Sequence, residues 1–157
     1  MPSLSDFPRH RLAALRDLAA RILQAAGCAP DEAEVVAHHL IGARLAGHDS
    51  HGLHLVPFYV EHIRAGRLRA NTAVRLVADH GAILRFEGGQ GFGHRVAREA
   101  TAAAIARARQ GGLALYTLTG ALHIGRIGSY GEQALAAGLA AILFVNVIGH
   151  EPCVAPH

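Results

Sequence analysis

The chain has 157 residues, 51% hydrophobic and 17% charged, with 18 Gly and 6 Pro. That length and apolar content suit one folded core and exclude a disordered segment, a collagen-like repeat and a disulfide-stapled miniprotein. All 15 basic residues are Arg, so neither Schiff-base catalysis nor a Walker-type phosphate loop has its amine. The net charge of +3 is spread along the chain, and the 5 Phe and 3 Tyr do not interleave with Arg, which argues against nucleic-acid binding. Cys28 and Cys153 form no CxxC pair, which argues against a redox dithiol or a thiolate zinc knuckle and for a reduced, cytoplasmic setting. The opening MPSLSDFPRHRL carries no apolar signal region, and the apolar stretch 135–148 is short and holds Gly138 and Asn146. Neither secretion nor membrane embedding is expected.

In chain order, Leu12, Leu15, Leu18, Ile22 and Leu23 recur at helical spacing and predict an amphipathic helix over 9–26, closed by Gly27. A second helix is predicted over 30–45, with Pro30 first and Asp31 and Glu32 at its positive end. After the HDSHG segment a third is predicted over 53–65, with Pro57 near its start and Gly66 past its end. Alternation at 74–79, the turn residues His80 and Gly81, and the apolar run 83–86 predict a β-hairpin. The glycine-rich 88–93, an Ala-rich helix over 94–110, a strand over 113–118, a loop holding His123, a helix over 127–137 and a strand over 139–145 follow. The expectation is an α/β chain: a helical N-terminal region over 1–66, then an α/β region over 67–157 whose mixed sheet is linked by crossover helices.

Three motifs carry candidate chemistry. GGQGFG lies between a strand and a helix, but Gly89, Gly91 and Gly93 spell GxGxG, and about twenty residues further on no carboxylate stands ready for a ribose. A tight strand-to-helix turn accounts for these glycines better than a dinucleotide cradle. HDSHGLH packs His48, Asp49, His51 and His54 into seven residues. A metal-binding module using His48, His51 and His54 stays an alternative, although Gly52 interrupts any helix that would align them; a capping role for Ser50 and surface histidines is the plainer reading. In TGALHIGR, His123 sits between a strand end and a helix start, where α/β folds place reacting groups, and Arg126 offers a carboxylate two hydrogen bonds. A capping histidine and a solvated arginine explain the same residues on local grounds. No GxSxG or Cys-His signature points to a nucleophilic hydrolase.

Together, GHDSHGLHLVPFYVEHIRAG (47–66), GGQGFGHRVAREA (88–100), LHIGRIGSYGEQALAAGL (122–139) and FVNVIGHEPCVAP (144–156) resemble the malate/L-lactate dehydrogenase family, the non-Rossmann NAD(P)-dependent 2-hydroxyacid dehydrogenases and related ketoacid and imine reductases. GHDSHG, HIGRIG and the VAP ending are similar to the hydroxycarboxylate dehydrogenase B branch in particular. The resemblance implies the family's unusual α/β fold, a homodimer, NAD or NADP as cofactor, and a small 2-hydroxy or 2-oxo acid as substrate. It implies that the chain corresponds to the N-terminal half of such an enzyme, with a non-catalytic remnant as an alternative. His51 and His123 match the histidines that exchange the proton on the substrate oxygen, work suited to a group that titrates near neutrality. Ser50 and Tyr59 match positions lining the substrate pocket, and Asn146 matches a residue of the active-site wall, taken as a cofactor contact; no metal is implied. Many members carry an Arg that grips the substrate carboxylate where this chain has Leu55, so Arg126 is expected to take over that contact. Gly120, Ala121 and Leu122 replace the polar residues that usually precede the second histidine.

Overall fold

The computed structural model describes residues 9–146; Cys153 and the VAP ending lie outside them. Helix α1 (Arg9–Ala25) buries Ala19, Ala20 and Leu23 against helix α2 (Pro30–Leu45), whose inner face carries Ala33, Val36, Ala37 and Leu40. Each fully buried Leu or Val contributes roughly 1.5–3 kcal/mol by leaving water. Pro30 opens α2, where a missing N–H costs nothing. Glu32, in the same first turn, is fully buried, accepts the Asn71 backbone N–H at 2.6 Å and faces the Arg95 guanidinium at 3.5 Å. Asn71 has φ +63° and ties the loop back to α2 through Gly27 and Ala29. Burial and Glu32 push the neighbouring Cys28 thiol up to about 12, which leaves it an inert core residue.

The third helix departs from expectation in its start. Single-turn 3-10 helices occupy Asp49–His51 and Leu53–Leu55, and the α-helix α3 runs only over Val56–Arg64. Pro57 lies in its first turn, and a residue without an N–H reads as a helix opening and not as an interior position.

The hairpin forms as predicted. Strand β1 (Arg75–His80) pairs antiparallel with β2 (Ile83–Glu87) around Gly81, whose φ of +72° the tight turn demands. Helix α4 (Gly93–Gly111) then crosses over, and β3 (Leu115–Thr119) pairs parallel to β2, giving a mixed sheet in the order β1-β2-β3. Leu84 and Phe86 are buried with Ala100 of α4, and Val74, Tyr116 and Leu118 pack around them. Helix α5 (Gly128–Ala136) follows. The strand expected over 139–145 is absent: residues 139–146 hold no regular structure, and Ile142 and Phe144 are 85% and 91% exposed. Apolar content made the run read as a buried strand, but among the described residues it pairs with no neighbour, and an extended segment without a ladder gains nothing from its β-formers.

The glycine turn between β2 and α4 does structural work. Gly88 N–H donates to Thr119 O at 2.8 Å, Gln90 N–H to Gly120 O at 2.6 Å, and Leu122 N–H to Gly91 O at 3.1 Å, lacing this turn to the loop after β3. A methyl at Gly93 would collide with the carbonyls of Leu122 and His123, so only glycine lets that loop lie on the start of α4.

Candidate functional site

Five helical elements and the loop after β3 bring six aromatic rings into one cluster. His51 ends the turn Asp49–His51; His123 sits in the loop after β3. Their rings stack with centroids 5.2 Å apart and an interplanar angle of 21°. Tyr59, on α3 and fully buried, has its hydroxyl 2.9 Å from His123 Nδ1 and 3.4 Å from His94 Nε2. His94, in the first turn of α4, lies edge-on to His39 of α2 at 4.7 Å, and Tyr130 of α5 completes the group 5.7 Å from His39. Ser50 Oγ is 2.9 Å from His51 Nδ1.

The loop geometry follows from Gly125, which has φ +69° and passes so close to the cluster that a methyl there would stand 2.5 Å from His39 Nε2 and 2.7 Å from His94 Nε2. The next residue, Arg126, donates its backbone N–H to His39 Nε2 at 3.0 Å. Gly125→Ala is therefore expected to cost about 1–3 kcal/mol, through overpacking and a left-handed backbone that Ala resists, read as a lower midpoint in urea denaturation. An unchanged midpoint would contradict this packing.

Most charged states are disfavoured here. Burial, then the Arg126 charge and the neighbouring histidines, bring His39 down to about 4. Burial drives His94 well below the usual imidazole range, and His51 is lowered by its partial burial and by His48 and His54. Burial also raises the Tyr59 and Tyr130 hydroxyls above the ordinary phenol. At neutral pH His39, His51 and His94 are therefore uncharged, with Arg126 as the adjacent cation. Its side chain is 12% exposed, pairs with Glu132 at 2.5 Å, and keeps Nε buried without a hydrogen-bond partner among the described residues. Such an arrangement can take a proton from a hydroxyl or hydrogen-bond a carbonyl, with a cation at hand for an acid group.

Of the residues expected from sequence, His51, His123, Ser50 and Tyr59 are gathered here, and Arg126 adjoins them through His39. Tyr59 reaches the histidine pair through its bond to His123. Leu55 packs against the helical core, so the position that many family members give to Arg holds no cation. Asn146 is exposed at the last described residue, and among the described residues no contact joins it to the cluster. The metal alternative finds no geometry: among the described residues no three His, Cys, Asp or Glu side chains gather to hold an ion. The rings of His48 and His51 are 6.4 Å apart and nearly perpendicular, and His54 lies exposed on the following turn.

Sequence reasoning missed His39, His94 and Tyr130. A signal existed for His39, a polar residue on the α2 stripe between Val36 and Leu40, where burial requires a partner. A groove of about 570 Å³ between α1 and α3, lined by Leu15, Leu18, Ile22 and Val60, is lined by neither His51 nor His123. The glycine turn is no cradle for a dinucleotide pyrophosphate, because the N–H groups of Gly88, Gly89, Gln90 and Gly91 all bond within the chain.

Comparison with known proteins agrees with this picture. The family model described as malate/L-lactate dehydrogenase matches residues 11–157. The chain is 45% identical over 130 residues to hydroxycarboxylate dehydrogenase B of Escherichia coli K12, spanning 83% of this chain but 36% of that protein. It is 39% identical over 145 residues to an L-lactate dehydrogenase of Cupriavidus necator, spanning 92% of this chain and 42% of the relative. The solved malate dehydrogenase of Pyrococcus horikoshii superposes with a TM-score of 0.78 at 26% identity, over 81% of this chain and 36% of that one. The chain thus has the fold of these enzymes and spans well under half of their length.

Proposed function

Because the chain belongs to the malate/L-lactate dehydrogenase family, we propose that it serves the reversible oxidation of a small 2-hydroxy acid to the 2-oxo acid. The observation that carries this reading is the stacked pair His51 and His123, 5.2 Å apart, with Tyr59 holding one ring. In oxidation C2 loses a hydride and its hydroxyl loses a proton; in reduction both return. When bound, the nicotinamide of NAD or NADP, the cofactor that the family resemblance implies, takes or gives the hydride. The glycine turn does not fit its pyrophosphate, because its N–H groups bond within the chain; the stacked rings of His51 and His123 do fit the proton half of the chemistry.

The chain's own residues handle the oxygen and the acid group. A lowered pKa keeps His51 a free base at neutral pH, ready to accept the hydroxyl proton, and Ser50 orients its ring from Nδ1. His123 lies across from it, fixed by Tyr59, where it can hold the same oxygen. Arg126 supplies the charge for the carboxylate, the role that Leu55 cannot fill. No helix among the described residues is long and apolar enough to cross a membrane. The reading places the chain in the cytoplasm as a homodimer, with a small acid as its ligand.

The test is nicotinamide absorbance. NADH or NADPH is supplied with pyruvate, oxaloacetate and phenylpyruvate, and oxidation with at least one of the acids is expected; none with any pair, alongside turnover by a full-length relative, would favour the non-catalytic remnant. In an active preparation, Arg126→Ala is expected to raise KM for the acid by 10- to 100-fold, which corresponds to about 1.5–3 kcal/mol for a hydrogen bond to a charged group. An unchanged KM would move the carboxylate contact elsewhere.

A further inference from the structure

The hydroxyl of Tyr59 has one proton and two imidazole neighbours, His123 Nδ1 at 2.9 Å and His94 Nε2 at 3.4 Å. It can donate to one and accept from the other, so the direction of the chain Tyr59 takes decides which nitrogen of His123 carries hydrogen. The deciding atom is at the far end. His94 is 1% exposed, and its Nδ1 is buried with no hydrogen-bond partner among the described residues. A buried N–H without an acceptor is rarer and costlier than a bare lone pair. His94 therefore leaves Nδ1 unprotonated and carries its hydrogen on Nε2, which donates to the Tyr59 oxygen. Tyr59 then donates to His123 Nδ1, its shorter and stronger contact.

We propose that His94 is a positioning residue: acting through Tyr59, it fixes His123 in the tautomer that carries hydrogen on Nε2. This inference rests on the reading of His123 given above and deepens it. In that tautomer His123 is a hydrogen-bond donor to the substrate oxygen, so it polarises the carbonyl, and the lone pair that receives the alcohol proton belongs to His51. Neighbouring packing protects the arrangement. His39 takes the Arg126 N–H on its own Nε2, so its hydrogen sits on Nδ1 and it does not compete for Tyr59. Gly125 leaves room for both rings, and Phe92 packs against Tyr59 at 5.4 Å, holding the phenol in place.

Long-range proton–nitrogen NMR on the nitrogen-15-labelled full chain at pH 7.5 reads the tautomers without turnover. The expected result is a pyridine-like Nδ1 and a pyrrole-like Nε2 on His123, with the same pattern on His94. A pyrrole-like Nδ1 on His123, or two averaged nitrogens, would overturn the proposal. Tyr59→Phe and His94→Leu should each draw the two His123 nitrogen shifts toward one another. His94→Gln, whose amide N–H can replace Nε2–H, should restore the parent pattern. A role in packing alone would leave the His123 shifts unmoved in His94→Leu, which would also overturn it. Should His94→Leu not fold, the parent tautomer and Tyr59→Phe still decide. A correct tautomer in a chain without turnover would sink the proposed function and leave this inference standing.

Discussion

Acidification from pH 7 to pH 4 is expected to cost the chain about 3 kcal/mol of folding stability through His39 alone. Its imidazole titrates at about 4 when folded, against 6.5 as the ordinary value. Between those two pH values the unfolded chain binds a proton that the folded chain refuses, so stability falls as pH falls. The full contribution is present above pH 6.5 and is lost progressively toward pH 4, at 1.36 kcal/mol per pKa unit. His94, shifted in the same direction by complete burial, adds to the loss. Glu32 opposes it: burial raises its carboxyl, so the folded chain binds that proton more readily than the unfolded one just above the ordinary carboxylate range. Asp79, held near 2 by Arg107, loses its contribution only below pH 3.8 and leaves this window untouched. Urea denaturation from pH 7.5 to 4.5 should show a steadily falling midpoint, and His39→Gln should flatten the slope. A level profile would mean that His39 and His94 are more accessible to water than their burial indicates.

Removing either imidazole of the stacked pair is expected to lower kcat/KM for the preferred 2-hydroxy acid by about 10² to 10⁴, the usual contribution of a positioned proton-transfer group. His51→Ala tests the half-exposed member cleanly, since the hydrogen bond its ring makes is to the exposed Ser50 hydroxyl. His123→Ala would leave the buried Tyr59 O–H without its acceptor at His123 Nδ1, a loss of about 1–3 kcal/mol in stability that would confuse the comparison. His123→Asn keeps a polar atom near the place of Nδ1 and removes the rest of the ring, so it isolates the chemistry. Because the two rings act on one oxygen, the double variant should lose far less than the product of the single losses. Single variants within threefold of the parent would show that the proton travels by another route.

Much of the fold is legible in the residues because local and global preferences agree. Pro30, Gly27 and the 3.6-residue stripe of α1 and α2 point the same way, as do Gly81 and the alternation on either side of it. The crossover from β2 through α4 to β3 follows from two strands separated by a helix. Disagreement arises where a residue type has two uses. Pro57 looks like a residue near the start of a longer helix, yet the α-helix begins only at Val56, one residue before it. The apolar run 139–145 has strand composition, but a strand exists only by pairing, and pairing is a property of the neighbours.

The same division runs through the site. His51 and His123 stand in the HDSHG and HIGR segments that carry the family resemblance, and the fold stacks their rings. His39 and His94 are silent in sequence, one inside a helical stripe and the other behind a glycine turn. Only the folded chain shows which groups Gly93 and Gly125 make way for: they are the clearances that let the His123 loop settle among these rings.

The most direct test of the account is binding. With ring signals of the histidines assigned in the full chain, titration with a 2-oxo acid should move His51 and His123 along one saturating curve. His80, exposed at the end of β1, should stay still. If His51 and His123 remain fixed, or shift no more than His80 does, the paired imidazoles do not receive the substrate oxygen.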